Sequence, residues 1–428
     1  MRRAPLLLAA LAACAPNPAA PVKVMAVVPA SSGAYGPREV DLTTVDSITA
    51  LRGKVATLLG GAKIVLDPAD PLLAQNGGNP TEEQYIAILL KDQGGSVRAN
   101  YVSKKNDKDQ PVLWPADFHS WNMVTLYFNF EQAFSYFQQV FDGRSTAELE
   151  NPKVLYWATF LDRSSGTEVE VKDNALFFSP VKSFLVVPFD QLQKVPLAMN
   201  TGVIGHEYAH LVFSKKVFSG AAIPAPIASW SLEPFNVLKS IDEGFSDFHG
   251  WGLTCAALGP GCRPAFLSES LGEVEGAKRD ISLPTKCMTA ELRNAINTLQ
   301  QPQFLSGNQY QLGTLFAASM YQAAQKTGKV QVMQRALVAS YDDDAPATPG
   351  FKQIINLNLQ TQANFTLERA ANTVVAHVTD PDLKRVLCNE FSDRLQLDCV
   401  AFPCDTMPDC PATSSKGTSC PVLPPENP

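Results

Sequence analysis

The sequence predicts an α+β chain, with strands concentrated before about residue 200 and helices after it. Three observations carry this. Short β-leaning runs broken by turn residues fill 45–110; a run dense in aromatic residues and free of Gly and Pro spans 117–141; and from Met199 onward apolar residues recur at helical spacing. With 428 residues, 45 % apolar and 18 % charged, the chain is an ordinary globular one with room for about two or three core-forming units. A net charge of −7 without a long Lys/Arg run argues against a phosphate-backbone partner, so no nucleic acid is expected. Past residue 20 no apolar run approaches the ~20 residues a membrane-spanning helix needs, so the body reads as soluble.

Met1-Arg2-Arg3 and the apolar stretch Pro5 to Ala13 (PLLLAALAA) read as an export signal over 1–13. Leu11-Ala12-Ala13-Cys14 resembles the lipobox of bacterial lipoproteins, which implies lipidation at Cys14. Ala15 stands where an inner-membrane retention signal carries Asp. The expected location is therefore the outer membrane, or more broadly the cell surface or periplasm, with membrane contact through the lipid only. An Ala- and Pro-rich stretch follows, and 14–44 reads as lipidated Cys and flexible tether.

Residues 45–110 then form a small β-rich part. Lys54 to Leu58 and Ile64 to Leu66 are strand-like, and Gly60-Gly61, Asp67-Pro68 and Asn76 to Pro80 are breaks. The aromatic run 117–141 is long enough for a buried helix, and strand-like segments follow at Val154 to Leu161 and Leu176 to Phe189. Met199 to Phe213, Leu238 to Leu253 and Leu312 to Gln325 read as helices. The remaining borders fall as 111–255, an N-lobe with the motif-bearing helix; 256–401, a helical C-lobe; and 402–428, a Cys/Pro-rich tail.

Removing Cys14 leaves eight cysteines: Cys255, Cys262, Cys287, Cys388, Cys399, Cys404, Cys410 and Cys420. An even number in an oxidising compartment implies disulfides, and the spacings lack the paired C-x-x-C arms of a thiolate zinc site. Three lie before residue 300 and five after it, so full pairing needs at least one bridge between the groups.

His206-Glu207-Tyr208-Ala209-His210 is an H-E-x-x-H on a predicted helix. Spacing of i and i+4 sets two imidazoles on one face, able to share a metal ion, while the Glu reaches a metal-bound water as general base. With five His in the chain, chance gives this pattern about three times in a thousand. A catalytic zinc takes three protein ligands and keeps one position open. Asp242-Glu243-Gly244-Phe245-Ser246-Asp247 places Glu243 and Asp247 on one helix face. One can bind the ion while the other accepts the free ring N–H of a His ligand. Ile241, Phe245, Phe248 and Trp251 make the surroundings apolar, where a carboxylate needs a partner.

GVIGHEYAH followed by IDEGFSDFHG resembles the zinc site of the thermolysin-like and fungalysin-like gluzincin metallopeptidases. The resemblance implies a two-lobed fold, with a strand-bearing N-lobe, a mainly helical C-lobe and the zinc helix between them. It implies one catalytic Zn²⁺ on His206, His210 and Glu243, Glu207 as base and Asp247 as the residue that orients a His ligand. Ala277 to Pro284 is similar to the segment whose Arg contacts a substrate carbonyl, which implies that role for Arg279. Asn174-Ala175 resembles the edge-strand pair that binds an extended peptide. The match runs over roughly 110–330, with a longer segment between His210 and Glu243 in which 215–234 is an insertion that can rim the cleft. The family's downstream oxyanion His is missing; its place in Gly307 to Gly313 falls at Gln309, with Tyr310 beside it, and either can donate a hydrogen bond to developing charge. The stretch before His206 is too short for a complete N-lobe and the large propeptide of many relatives.

His119, His249 and His377 read as packed residues, and Asp342-Asp343-Asp344 as a solvated acidic turn; calcium is not indicated. The expected function is a secreted or lipid-anchored zinc endopeptidase acting on a peptide or protein. The alternatives are a catalytically weak or inactive gluzincin-like surface lipoprotein that binds or supports, and a zinc amidase acting on cell-wall peptide.

Overall fold

The computed structural model describes residues 21–30, 34–75, 80–191, 193–220, 231–258, 262, 264–283, 287–342, 348–358, 365–397 and 402. The strands are β1 (Val22–Pro29), β2 (Tyr35–Leu42), β3 (Val45–Ser47), β4 (Arg52–Gly53), β5 (Thr57–Gly60), β6 (Lys63–Leu66), β7 (Leu90–Asp92), β8 (Gly95–Ser96), β9 (Tyr101–Lys105), β10 (Pro111–Pro115), β11 (Lys153–Tyr156), β12 (Thr159–Asp162), β13 (Val169–Val171), β14 (Ala175–Phe178) and β15 (Ser183–Val186). They form three sheets, ordered β2-β1-β10-β9, β14-β15-β11-β5-β4-β3 with β8 on β5, and β13-β12-β6-β7. Two short helices, α1 (Pro71–Gln75) and α2 (Glu82–Leu89), interrupt the strands. The long helix α3 (Phe118–Phe141) crosses the strand-bearing part.

The second half is helical: α4 (Thr201–Val217), α5 (Leu232–Leu258), α6 (Ser268–Leu271), α7 (Glu273–Lys278), α8 (Ala290–Thr298), α9 (Gln301–Leu305), α10 (Asn308–Thr327), α11 (Val330–Asp342), α12 (Phe351–Asn358), α13 (Leu367–Ala376) and α14 (Pro381–Leu395). The chain is thus α+β. Among the described residues no helix is long and apolar enough to cross a membrane.

Two departures from the sequence reading concern the N-terminal region. Residues 22–42 are a paired hairpin rather than tether: β1 and β2 hold a continuous antiparallel register from Val22↔Leu42 to Pro29↔Tyr35, and β1 also pairs β10 in parallel. Val24 and Ala26, two apart, are fully buried, and the Val27 amide donates to Thr125 Oγ1 on α3 at 2.9 Å. β1 itself is Val-rich, with Val22, Val24, Val27 and Val28, and only the stretch before it is rich in Ala and Pro. Residues 1–13, Cys14 and the tether up to residue 20 lie outside the described residues. The strands of 45–110, for their part, pair beyond that stretch, β5 with β11 and β6 with β12, so they are built into the N-terminal sheets. The 255/256 border falls inside α5.

Local chemistry sets the helix ends. Asp117 caps α3 by accepting from the Ser120 amide at 2.8 Å, and Asn200 caps α4 by accepting from the Gly202 and Val203 amides. Lys215 and Lys216 occupy the last turn of α4, where cations suit the helix dipole. β11 and β15 are buried on both faces. Phe184 meets Phe130 of α3 and Tyr208 of α4 at ring distances of 4.7 and 6.1 Å, while Leu155 and Leu185 face a smaller core with Ile64 and Phe160.

Two close helix approaches fix the placement of α5. A Cβ at Gly250 would lie 2.8 Å from the Gly202 carbonyl oxygen, and one at Gly244 would lie 2.3 Å from that of Gly313. Bare glycines therefore let α5 press against α4 on one side and α10 on the other. Cys255 and Cys262 form a disulfide, and Cys287 and Cys388 are also disulfide-bonded. With Cys255 and Cys262 joined to each other, and Cys14 aside, the bridge of Cys287 runs to a cysteine beyond residue 300. Cys399, Cys404, Cys410, Cys420 and the tail 403–428 lie outside the described residues.

Candidate active site

α4 is buried along nearly its whole length, so the polar residues in it sit deep in the protein. One helical turn brings His206 and His210 together with their Nε2 atoms 3.1 Å apart. Each ring has a carboxylate behind it. Asp242 Oδ1 lies 2.8 Å from His210 Nδ1, and Asp247 Oδ1 lies 3.1 Å from His206 Nδ1. Both acids come from α5, one and four residues from Glu243. His210 Nδ1 is bonded to Asp242 and His206 Nδ1 faces Asp247 at ion-pair distance, so both Nε2 atoms turn to a common point that one cation can occupy.

Glu243 supplies a third donor, its Oε2 lying 3.4 Å from His206 Nε2 and 3.8 Å from His210 Nε2. Ligand atoms set tetrahedrally around zinc at ~2.0–2.1 Å stand roughly 3.3 Å apart, so the donor set fits the ion that the motif implies. Glu207 also joins the His pair in a group of potential ligand atoms within 4.8 Å of one another. Its Oε1 is 3.8 Å from His206 Nε2, but its Oε2 accepts from the Phe177 amide of β14 at 2.7 Å, so it is anchored toward the strand.

The charge balance also favours a cation. Glu207, Asp242, Glu243 and Asp247 face the Arg279 guanidinium and, 4.0 Å from Asp242, the Lys239 ammonium, which leaves the carboxylates in surplus. Burial and Arg279 oppose a proton on His206, yet Asp247, Glu243 and Glu207 prevail and push its pKa up to about 10. His210 moves the same way against burial, through Asp242 and Glu243. Burial, aided by Glu243, raises Glu207. Glu243 is held well below the usual carboxylate range, burial being outweighed by both rings and Arg279.

Arg279 lies over this set. Nε and Nη2 contact Asp247 at 3.2 and 2.7 Å, and Nη2 donates to Glu243 Oε2 at 3.0 Å. Its guanidinium carbon is 4.5 Å from the centroid of the Tyr310 ring. Glu243 and burial push the Tyr310 hydroxyl up to about 12. Tyr310 lines the cleft, whereas Gln309, one position round α10, is buried and does not. The structure therefore separates the two candidates for the oxyanion place: about 100° of helix rotation turns Gln309 into the protein.

A cleft of about 830 Å³ opens over these groups, and Asn174, Ala175, His206, Glu207, His210, Glu243, Arg279 and Tyr310 all line it; Asp247 lies beneath its floor. β14 is the edge strand of its sheet. The Asn174 carbonyl accepts from Val187, inside the sheet, while the Phe177 amide points out to Glu207. By the two-residue period, the backbone groups of Ala175 point outward with those of Phe177. Phe218 and Phe235, at the flanks of the 215–234 insertion, also line the cleft; 221–230 lie outside the described residues.

The other sequence candidates sit elsewhere. His119 contacts the Tyr156 hydroxyl at 2.9 Å; His249 is fully buried against that of Tyr136, and burial takes its pKa down to about 3; His377 contacts the Thr373 carbonyl. Asp342 pairs with Arg144 and Lys216, while Asp343 and Asp344 lie outside the described residues. Sequence reasoning missed Asp242 and the Phe177 amide. Two candidate ligand rings need two orienting acceptors, and Asp242 stood next to Glu243.

No protein-family model matches the sequence, and none of the curated proteins does. Among solved structures, the precursor of protealysin, a metalloproteinase from Serratia proteamaculans, is similar with a TM-score of 0.44. The identity is 13 %, over 78 % of this chain and 87 % of that one.

Proposed function

We propose that the protein is a zinc-dependent endopeptidase with Glu207 as general base. The observation that carries this reading is the convergence of His206 Nε2, His210 Nε2 and Glu243 Oε2 in a cleft that also holds Glu207 and an open strand edge. His206, His210 and Glu243 hold the ion, with Asp242 and Asp247 fixing the two ring tautomers. When bound, Zn²⁺ supplies Lewis acidity to the scissile carbonyl and the attacking water.

The rest is done by side chains. Glu207 takes a proton from the water and returns it to the leaving amine. The outward backbone of Ala175 pairs with an extended peptide, and Asn174 binds at the rim. Arg279 commits Nε and Nη2 to acids; among the described residues no bond of Nη1 is seen, and that N–H serves the substrate carbonyl. Tyr310 keeps its proton and donates it as a hydrogen bond to developing negative charge. Export with lipid attachment at Cys14 belongs to the same proposal and rests on the N-terminal sequence.

One observation favours a different reading. Arg279 Nη2 lies 3.0 Å from Glu243 Oε2 and 3.5 Å from His206 Nε2, so a protein cation already leans on the donor atoms. A non-catalytic binding protein is compatible with that placement. Metal analysis of the purified protein, combined with a peptide-hydrolysis assay, separates the two readings. Close to one zinc per chain, with activity lost to a chelator and restored by zinc, supports the peptidase; a metal-free protein that cleaves nothing after zinc addition refutes it. Running cell-wall peptides beside protein substrates distinguishes amidase from endopeptidase.

A further inference from the structure

The cleft continues along α4 past the paired imidazoles. α4 lines it with Val203, His206, Glu207 and His210 and, about one turn beyond His210, with Phe213 and Ser214. α5 runs in the opposite sense there, since Asp242 stands behind His210 and Asp247 behind His206. Residues that precede Asp242 on α5 therefore lie on the Phe213 side. Phe235, Leu238 and Lys239 are three such residues, and all of them line the cleft.

This stretch combines apolar walls with one cation. Phe213, Phe235 and Leu238 are buried, while the Lys239 side chain is 26 % exposed. Among the described residues its ammonium makes no hydrogen bond, and its one ionic neighbour is Asp242 Oδ2 at 4.0 Å, the outer limit of an ion pair. Asp242 commits its other oxygen to His210 Nδ1 at 2.8 Å. Arg279, by contrast, makes contacts of 2.7 to 3.2 Å with two acids. The proposed chemistry occupies Arg279 and leaves Lys239 without a part. An ammonium set among apolar side chains gains from a close anion, and the open side of this one faces the cleft.

We infer that Lys239 is a specificity-determining residue that binds a Glu or Asp side chain of the substrate. This rests on the peptidase reading above for the nature of the ligand. Lys239 is one helical turn from Glu243, roughly 6 Å, which is about two residues of an extended peptide at ~3.3 Å each. The acid therefore belongs about two residues from the reacting bond, on the side that passes His210 and Phe213. The charge of the site permits it. Glu207, Asp242, Glu243 and Asp247 are matched in formal charge by Arg279, Lys239 and a divalent ion, so the loaded cleft does not repel a carboxylate.

The test is equilibrium binding, read by fluorescence anisotropy, to the full chain carrying Glu207→Gln with zinc added, so that no peptide is consumed. The probes are labelled octapeptides with a fixed central Leu pair. One Glu, or Gln as its neutral match, is moved through the other positions of an otherwise Gly/Ser sequence. At one or two positions on a single side of the pair, Glu should lower Kd about twofold to tenfold relative to Gln, and added salt should shrink the difference. The preference should persist in Lys239→Arg, vanish in Lys239→Met and invert in Lys239→Glu. Equal Kd for Glu and Gln at every position, or a preference that survives in Lys239→Met, overturns the inference. So does a Lys239→Met variant that weakens Glu and Gln peptides alike, because Lys239 would then only support Asp242. Failure of the native chain to hydrolyse any of these peptides with zinc present would instead refute the peptidase reading and leave the Glu-to-Gln comparison intact.

Discussion

Asp242 Oδ1 lies 2.8 Å from His210 Nδ1 and belongs to the residue before Glu243, so one turn of α5 carries both the proposed third ligand and the acid behind the second ring. Removing the acceptor frees the ring to rotate and lowers its basicity. Asp242→Ala should weaken zinc binding about 10- to 100-fold, and Asp242→Asn, which retains an acceptor, should lose less. Competition with a graded series of chelators measures both. Equal affinity in all three proteins would show that Asp242 merely neighbours the ring.

Glu207→Gln separates the base from the ligands. Its zinc content should match the native protein's, because the two imidazoles and Glu243 remain, while kcat should fall by about 10²- to 10⁴-fold. Glu243→Ala should do the reverse in order of cause, losing zinc first and activity with it. Zinc stoichiometry by elemental analysis distinguishes them, and full occupancy in Glu243→Ala would move the third ligand elsewhere.

The parts of the site legible from residue spacing share one property, that each is fixed along a single helix, whereas Arg279, Asn174, Ala175 and Tyr310 were reached through the family resemblance. His206, Glu207 and His210 lie within one turn or so of α4, and Glu243 and Asp247 within one turn of α5. Contacts made between elements were not legible. The Phe177 amide on Glu207 depends on how β14 lies against α4, and the choice of Tyr310 over Gln309 depends on the rotation of α10, set where Gly313 meets Gly244. The β1–β2 hairpin escaped for another reason. Val22, Val24, Val27 and Val28 do carry a strand signal, but it sits directly after an Ala- and Pro-rich stretch, and β2, which pairs with it, is polar and largely exposed.

Tyr310→Phe removes only the hydroxyl. If that group stabilises developing charge, kcat should fall by up to about 10²- to 10³-fold with little change in KM. Burial by itself disfavours the phenolate, so the native hydroxyl should remain a donor from neutral into mildly alkaline pH, and no loss of rate there should trace to Tyr310. Steady-state kinetics from neutral to strongly alkaline pH checks both statements, and an unchanged kcat in the variant removes Tyr310 from the mechanism.

The close approach of α5 and α10 carries its own prediction. A methyl at Gly313 would sit 2.7 Å from the Ser240 carbonyl oxygen and 3.0 Å from Glu243 Cβ. Gly313→Ala should therefore destabilise the protein by about 1–3 kcal/mol through overpacking, visible as a lower thermal midpoint. It should also weaken zinc binding, because the helix forced aside carries Glu243. A variant as stable as the native chain would show that the two helices yield at this contact.

Proton linkage gives the last prediction, for the metal-free protein. Burial disfavours the charged His206 ring, but its acid neighbours win and raise its pKa to about 10, above the ~6.5 expected in the unfolded chain. A raised pKa means that the folded state binds the proton more tightly. The stabilisation is then complete below about 6.5 and is lost as pH rises toward 10. Denaturation of the chelator-treated protein should show stability declining across that window. In the zinc-loaded protein the ion takes the proton's place between the same acids, so the decline should be much shallower. Parallel profiles with and without zinc would mean that the charge deficit in the cleft is met by Arg279 alone.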